Sequence, residues 1–247
     1  MDKIHLIMPM GGAGSRFFKN GFVVPKPLIE INDKPFFYWA TQSINKFVKV
    51  KDITFVVLQD HIDNFEIDKK IKEFYPKAKL VVIPHVLNGA VLTCMEGVKK
   101  IKDDLPIIFN DCDHAFISSD FNDYCSKGDF KDYDGALLTF TSKEPKYSFL
   151  KMDKKGNVIE TVEKKPVSNH AICGAYYFKN KHVFLSSCED YLEKCNYSEY
   201  FVSGVYNVLA SKKGIIHNFK CDIHVPFGTP DEYYEAKDND IFKRVEI

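Results

Sequence analysis

The stretch Ile4–Leu28, IHLIMPMGGAGSRFFKNGFVVPKPL, constrains this chain more than any other. Its apolar start (Ile4, Leu6, Ile7, Met8) predicts a short buried strand that ends at Pro9 and a glycine cluster. Gly11, Gly12 and Gly14 permit backbone conformations and close approaches that a Cβ would block. Successive backbone N–H groups in such a loop form a concave anion site suited to a nucleotide phosphate chain, with Ser15 in the same turn. Arg16 adds a bidentate grip on phosphate oxygens, and Lys26, stiffened between Pro25 and Pro27, adds a point charge. Similar motifs are excluded. No GK[ST] follows the glycines, as an ATPase phosphate loop requires. Gly12-Ala-Gly14 runs on into Ser-Arg-Phe, which breaks the GxGxxG spacing of a dinucleotide fingerprint.

After this loop the periodicity alternates. Leu28–Ile31 reads as a short strand, and Lys34-Pro35 opens a helix whose apolar face (Phe36, Trp39, Ala40, Ile44, Phe47) belongs to the core. Strands follow at 53–58 and 80–84 around a helix at Asp63–Phe74. Asn88 and Gly89 then precede a helix with Val91, Cys94, Met95 and Val98 facing inward. Asn88 is either its N-cap or a contact to a base edge. The strand Pro106–Phe109 runs into Asp111 and Asp113, a spacing that points both carboxylates to one side and suits Mg²⁺, an ion that wants oxygen ligands. Asp111 also fits a plain solvated turn, and His114 beside the pair reads as a structural hydrogen-bonder. Strand–helix alternation up to about residue 116 predicts a mostly parallel sheet flanked by helices, with ligands at the carboxyl ends of its strands. From 120 to 180 short strands (136–142, 148–153, 157–163, 172–178) predict a smaller antiparallel meander. One domain, 1–247, with halves 1–118 and 119–247, is the expected organisation.

Composition narrows the partners. Lys+Arg and Asp+Glu balance at 34 each, so no global basic face is present for nucleic acid. No apolar run is long enough to span a membrane, and no signal-peptide pattern occurs. Seven cysteines form no CxxC pair; reduced, buried thiols in a cytoplasmic protein are expected, and a metal site built on cysteine is not.

GGAGSR followed by PKPL resembles the signature of the sugar-phosphate nucleotidyltransferases, and the variant PMGGAGSRF…GFVVPKPLIEINDKPF looks like a branch associated with bacterial surface-polysaccharide, or capsule, genes. The resemblance extends to about Ala236 and implies a Rossmann-like, GT-A-type fold. It further implies condensation of a nucleoside triphosphate with a sugar 1-phosphate, releasing pyrophosphate with Mg²⁺ as cofactor. Arg16 and Lys26 would be catalytic, Gly89-Ala90 would pack against the base, and Asp113, followed by x-x-Phe116, would hold the metal. In the family's acceptor half, Glu163 and Lys164 match an acidic–basic pair, with Lys165 competing for the basic place, and Gly174 matches a strand glycine. Glu199 matches an acceptor-contacting acid but equally fits a helix N-terminal acid. Gly228, Thr229 and Pro230 match the late Gly-Thr-Pro element, with a helix at 231–242 after it. The family's second metal-binding aspartate falls on Pro226, leaving Asp222 or a water to replace it. That departure keeps a cytidylyltransferase acting on a polyol or amino-alcohol phosphate in play. A GT-A glycosyltransferase, whose DxD motif Asp111-Cys112-Asp113 imitates, is the more distant alternative. Many members of the family assemble, which leaves a homo-oligomer open.

Overall fold

The computed structural model describes residues 3–247. Strand β1 (Ile4–Met10) enters the glycine loop, which leads into a single-turn helix, α1 (Ser15–Lys19). The expected strand at Leu28–Ile31 is shorter than its apolar run. Lys26–Leu28 form a 3-10 turn, and only Glu30–Ile31 (β2) pair, with β3 (Lys34–Pro35), in a hairpin whose Asn32 and Asp33 take positive φ. Helix α2 (Phe36–Asn45) and strand β4 (Val50–Leu58) follow. The predicted helix 63–74 is two helices, α3 (Gln59–Phe65) and α4 (Ile67–Phe74), because Glu66 between them is left-handed (φ 51°). Then come β5 (Lys79–Ile83), α5 (Ala90–Val98), β6 (Ile107–Asn110), β7 (His114–Ile117) and α6 (Ser119–Lys127).

Strands β8 (Gly135–Thr141), β9 (Phe149–Met152), β10 (Val158–Val162) and β11 (His170–Phe178) make up the expected antiparallel part. They do not stand apart from the parallel strands. Antiparallel β11 pairs β6, so all join one nine-stranded sheet, seven strands of which lie in the order β10-β9-β11-β6-β1-β4-β5 while β8 and one later strand branch from β11. Helices α7 (Lys181–Lys194) and α8 (Val202–Ser211) precede β12 (Ile216–Lys220), which runs parallel to β8. Strand β13 (Ile223–Pro226) leaves the sheet and pairs only β7, forming a two-stranded ribbon. The expected last helix, 231–242, is broken into α9 (Pro230–Ala236) and α10 (Ile241–Val245).

The centre of the sheet, β5-β4-β1-β6, is parallel and almost wholly apolar, as strands covered on both faces must be. One face packs on α2 and α10, where Phe36 meets Phe227 at 4.6 Å, Trp39 meets Phe242 at 4.8 Å, and the indole N–H donates to the Ile31 carbonyl at 2.9 Å. The other face carries α5, α7 and α8 around Phe109, Phe178, Phe184 and Tyr206. All seven cysteines are free, six of them buried. Among the described residues no helix is long and apolar enough to cross a membrane. This packing leaves the carboxyl ends of β1 and β6, with the β7–β13 ribbon beside them, facing open clefts.

Candidate active site

The turn Asp111–Asp113 joins the end of β6 to the ribbon and is pinned from two sides. The Asp111 amide donates to the Gly174 carbonyl on β11 (2.9 Å), and the Phe227 amide donates to the Asp113 carbonyl (2.8 Å). Glycines make room for both carboxylates. A Cβ on Gly174 would stand 2.8 Å from Asp111 Oδ2, at a φ of 101° that other residues resist. A Cβ on Gly228 would collide with Asp113 Oδ2. Gly174 lies where the β11–β8 register slips between Ile172 and Tyr176, a bulge that turns this stretch of β11 toward the turn.

Two adjoining clefts, of about 240 and about 390 Å³, meet at this turn, and the larger is of small-molecule size by itself. The larger is bordered by Gly11, Gly12, Lys26, Gly89, Thr93 and Glu199. The smaller is bordered by Arg16, Lys146, Glu163, Ser203, Thr229 and Glu232, among others. Asp111, Asp113 and Ala90 belong to both.

Lys26 Nζ donates to Asp113 Oδ2 at 2.8 Å, with about a quarter of each side chain still exposed. Burial is the largest single effect and works against both charges, but the partner's charge and hydrogen bond, together with smaller contributions from neighbouring groups, outweigh it. Lys26 is therefore held above the usual lysine value, and Asp113 below the usual carboxylate value. Asp111 has no such cation in contact. Burial first, and the Asp113 charge second, push its carboxyl up to about 7.

In the smaller cleft Glu163 accepts hydrogen bonds from the Ser148 and Ser203 hydroxyls. Glu232 Oε1 takes Lys146 Nζ (2.8 Å) and the Tyr147 hydroxyl (3.0 Å), while Oε2 takes the Gly228 amide (3.1 Å). Glu232 is positioned by local chemistry. Thr229 caps α9 by accepting the Glu232 amide at 3.3 Å, so the acid sits at the third position of the helix, as in a capping box. Sequence reasoning missed Lys146, Tyr147 and Glu232. Only Thr-Pro-Asp-Glu carried a readable signal.

Several expected residues lie elsewhere. Gly14 and Ser15 belong to the same loop but border neither cleft, and Arg16, exposed on α1, borders the smaller cleft instead of the one beside Gly11 and Gly12. Asn88 is exposed and borders neither; it does not cap α5, whose N-cap is Gly89. Its carbonyl accepts the Tyr200 amide at 3.3 Å. Lys164 also borders neither cleft. It lies in a turn at φ 52°, with its ammonium 4.7 Å above the Phe201 ring and 3.9 Å from Glu199. Glu199 itself borders the larger cleft, away from Glu163. Asp222 does not replace the aspartate missing at Pro226, because its carboxylate accepts the Ser119 amide at 2.7 Å at the start of α6. Pro226 borders the smaller cleft directly.

A family model described as Nucleotidyl transferase matches residues 5–241. A Campylobacter jejuni D-glycero-alpha-D-manno-heptose 1-phosphate guanylyltransferase is 25% identical over 238 residues, which cover 92% of this chain and 96% of that protein. Among solved structures, a nucleoside-diphosphate-sugar pyrophosphorylase from Vibrio cholerae superposes with a TM-score of 0.81 at 23% identity, over 95% of this chain and all of that one. The inositol-1-phosphate CTP transferase of T. maritima superposes with a TM-score of 0.77 at 14% identity, over 99% and 96%.

Proposed function

Because the chain belongs to the nucleotidyl transferase family, we propose that it condenses a nucleoside triphosphate with a sugar 1-phosphate, releasing pyrophosphate. The observation that carries this reading is the pair of clefts sharing one wall of two aspartates, a glycine loop on one side and a polar, hydrogen-bonding wall on the other. The triphosphate would occupy the larger cleft with its phosphates on Gly11 and Gly12, and the acceptor would lie against Glu163 and Glu232. An acceptor phosphate oxygen attacks the α-phosphorus in line. That oxygen is already ionised, so positioning and charge neutralisation supply the rate. Lys26 reduces the repulsion between the approaching phosphates, and Arg16 reaches in from the rim. Glu163, fixed by two hydroxyls, orients acceptor hydroxyl groups.

Asp111 and Asp113 would hold Mg²⁺. The fit rests on Asp111, a carboxyl kept near 7 by burial and by Asp113, with room made for it by Gly174. Bound there, the ion supplies positive charge for the α-phosphate and the departing pyrophosphate.

A second reading, a cytidylyltransferase for a polyol phosphate, draws on Pro226, which brings no carboxylate to the acceptor cleft. We assign the enzyme to the cytoplasm on its seven free cysteines, and its product to surface-polysaccharide synthesis on the likeness of its N-terminal signature. Pyrophosphate release with Mg²⁺, scanned over CTP, UTP, dTTP, GTP and ATP against sugar 1-phosphates and polyol phosphates, tests both readings. Release that requires one triphosphate and a sugar 1-phosphate supports the first; a polyol phosphate alone as acceptor supports the second. Hydrolysis or transfer of a nucleotide sugar, with no pyrophosphate released in the scan, would overturn both.

A further inference from the structure

Three side chains in the floor of the smaller cleft have no part in the chemistry above. They come from three different strands. His114 opens β7, His224 lies on β13, and Cys173 lies in the β11 bulge. In the ribbon, His224 pairs with Phe116 and Pro226 with His114, so the two histidines are diagonal neighbours on one face. Their ring centroids are 5.4 Å apart. One nitrogen of each ring and the Cys173 sulfur lie within 4.8 Å of one another.

The hydrogen bonds leave lone pairs in this cluster. The Asn110 amide group donates to the Ala40 carbonyl at 2.9 Å, which turns its oxygen toward His114 Nε2, 3.0 Å away. Nε2 then carries a hydrogen, and in the neutral ring Nδ1 is left as an acceptor on the side of the Cys173 sulfur. His114 is only 2% exposed, and its Nδ1 has no partner. Both ring nitrogens of His224 are likewise buried without a partner. Buried polar atoms are normally satisfied, so three orphans converging on one thiol call for an occupant. A water molecule would meet them only with neutral hydrogen bonds; a cation would use the thiolate as well.

We propose that His114, Cys173 and His224 bind a thiophilic divalent cation of the Zn²⁺ class. Two imidazoles and a sulfur match the donor set that Zn²⁺ favours and Mg²⁺ refuses, so this site is chemically separate from the aspartate pair. The carbonyl of Asn110 orients His114 as carbonyls commonly orient metal-bound imidazoles. All three residues border the smaller cleft, so three protein ligands leave a fourth position facing it for water or an acceptor oxygen. On binding, the Cys173 thiol gives its proton to solvent.

The test uses the intact protein in excess Mg²⁺, titrated with Zn²⁺ by equilibrium dialysis and with Co²⁺ as an optical probe. One ion per chain and a thiolate-to-cobalt charge-transfer band are expected. Cys173→Ser should abolish the band, Cys221→Ser should keep it, and His224→Gln should weaken binding on the order of 100-fold. Asn110→Ala, which touches no ion, should weaken it about 10- to 100-fold. Absence of a bound ion overturns the proposal, as does a band that survives Cys173→Ser. If Cys173→Ser fails to fold, X-ray absorption of the Zn²⁺-loaded wild type decides instead. One sulfur at about 2.3 Å with nitrogens at about 2.0 Å is expected; a shell of oxygens alone would refute the site.

Discussion

Lys26 and Asp113 neutralise one another at 2.8 Å, in a position where substrate phosphates would compete for the lysine. Removing the ammonium leaves an unpaired carboxylate facing incoming anions. Lys26→Ala should therefore lower turnover on the order of 10³-fold or more with its circular dichroism unchanged; normal steady-state turnover would refute its role. Asp111 gives a pH signature. An acid held above its ordinary value stabilises the fold while protonated. That contribution is complete below about pH 4 and is lost as pH rises through about 7. In EDTA, wild type should lose thermal stability relative to Asp111→Asn between about pH 4 and 8, and added Mg²⁺ should reverse the order at pH 8. Parallel melting curves for the two proteins across that range would contradict the pairing. At this scale sequence reading depends on motif density. Gly11, Gly12, Lys26, Asp111 and Asp113 sit in close-set runs, and the structure brings them to one cleft, although Gly14 and Ser15 of the same run border neither cleft and Arg16 borders the other. Lys164 and Asn88 sit in looser matches, where one inserted lysine or one extended turn decides where a side chain goes, and both end outside the clefts.

Strands β1, β4 and β5 were legible as near-continuous apolar runs, because a strand covered on both faces has no polar side to show. Helix interruptions were not legible. Glu66 adopts a left-handed conformation with no glycine to signal it, and the break after Ala236 is likewise unmarked by proline or glycine. The β7–β13 ribbon was also out of reach, since its strands are about 110 residues apart in sequence and each spans four residues. Two substitutions probe the elements that shape the clefts. Gly174→Ala forces a Cβ against Asp111 at a positive φ. It should cost about 1–3 kcal/mol of stability and, by moving the aspartate, most of the activity; both are read by thermal melting and pyrophosphate release. Thr229→Ala removes the α9 cap, at a cost of about 1 kcal/mol. Since that cap positions Glu232, KM for the acceptor should rise more than KM for the nucleotide. Equal changes in the two KM values would leave Glu232 without a role in acceptor binding.

Across the whole molecule, the sheet ignores the boundary near residue 118: β6 pairs β11, and β7 pairs β13. Calorimetry should therefore give one transition, with calorimetric and van't Hoff enthalpies equal; two separated transitions would mean that the halves fold independently. The three strands that gather His114, Cys173 and His224 belong to this same cross-connection, which is why no local pattern in the chain announced the cluster. The shared aspartate wall has a thermodynamic consequence as well. Under the proposed placement of the two substrates, a ligand in one cleft meets aspartates that also border the other, so the two binding equilibria would form a linked pair. The factor by which nucleotide alters acceptor affinity must equal the factor by which acceptor alters nucleotide affinity. A substitution near Asp113 that alters this coupling should therefore change the apparent affinity for either substrate only when the other is bound, and by the same factor for both.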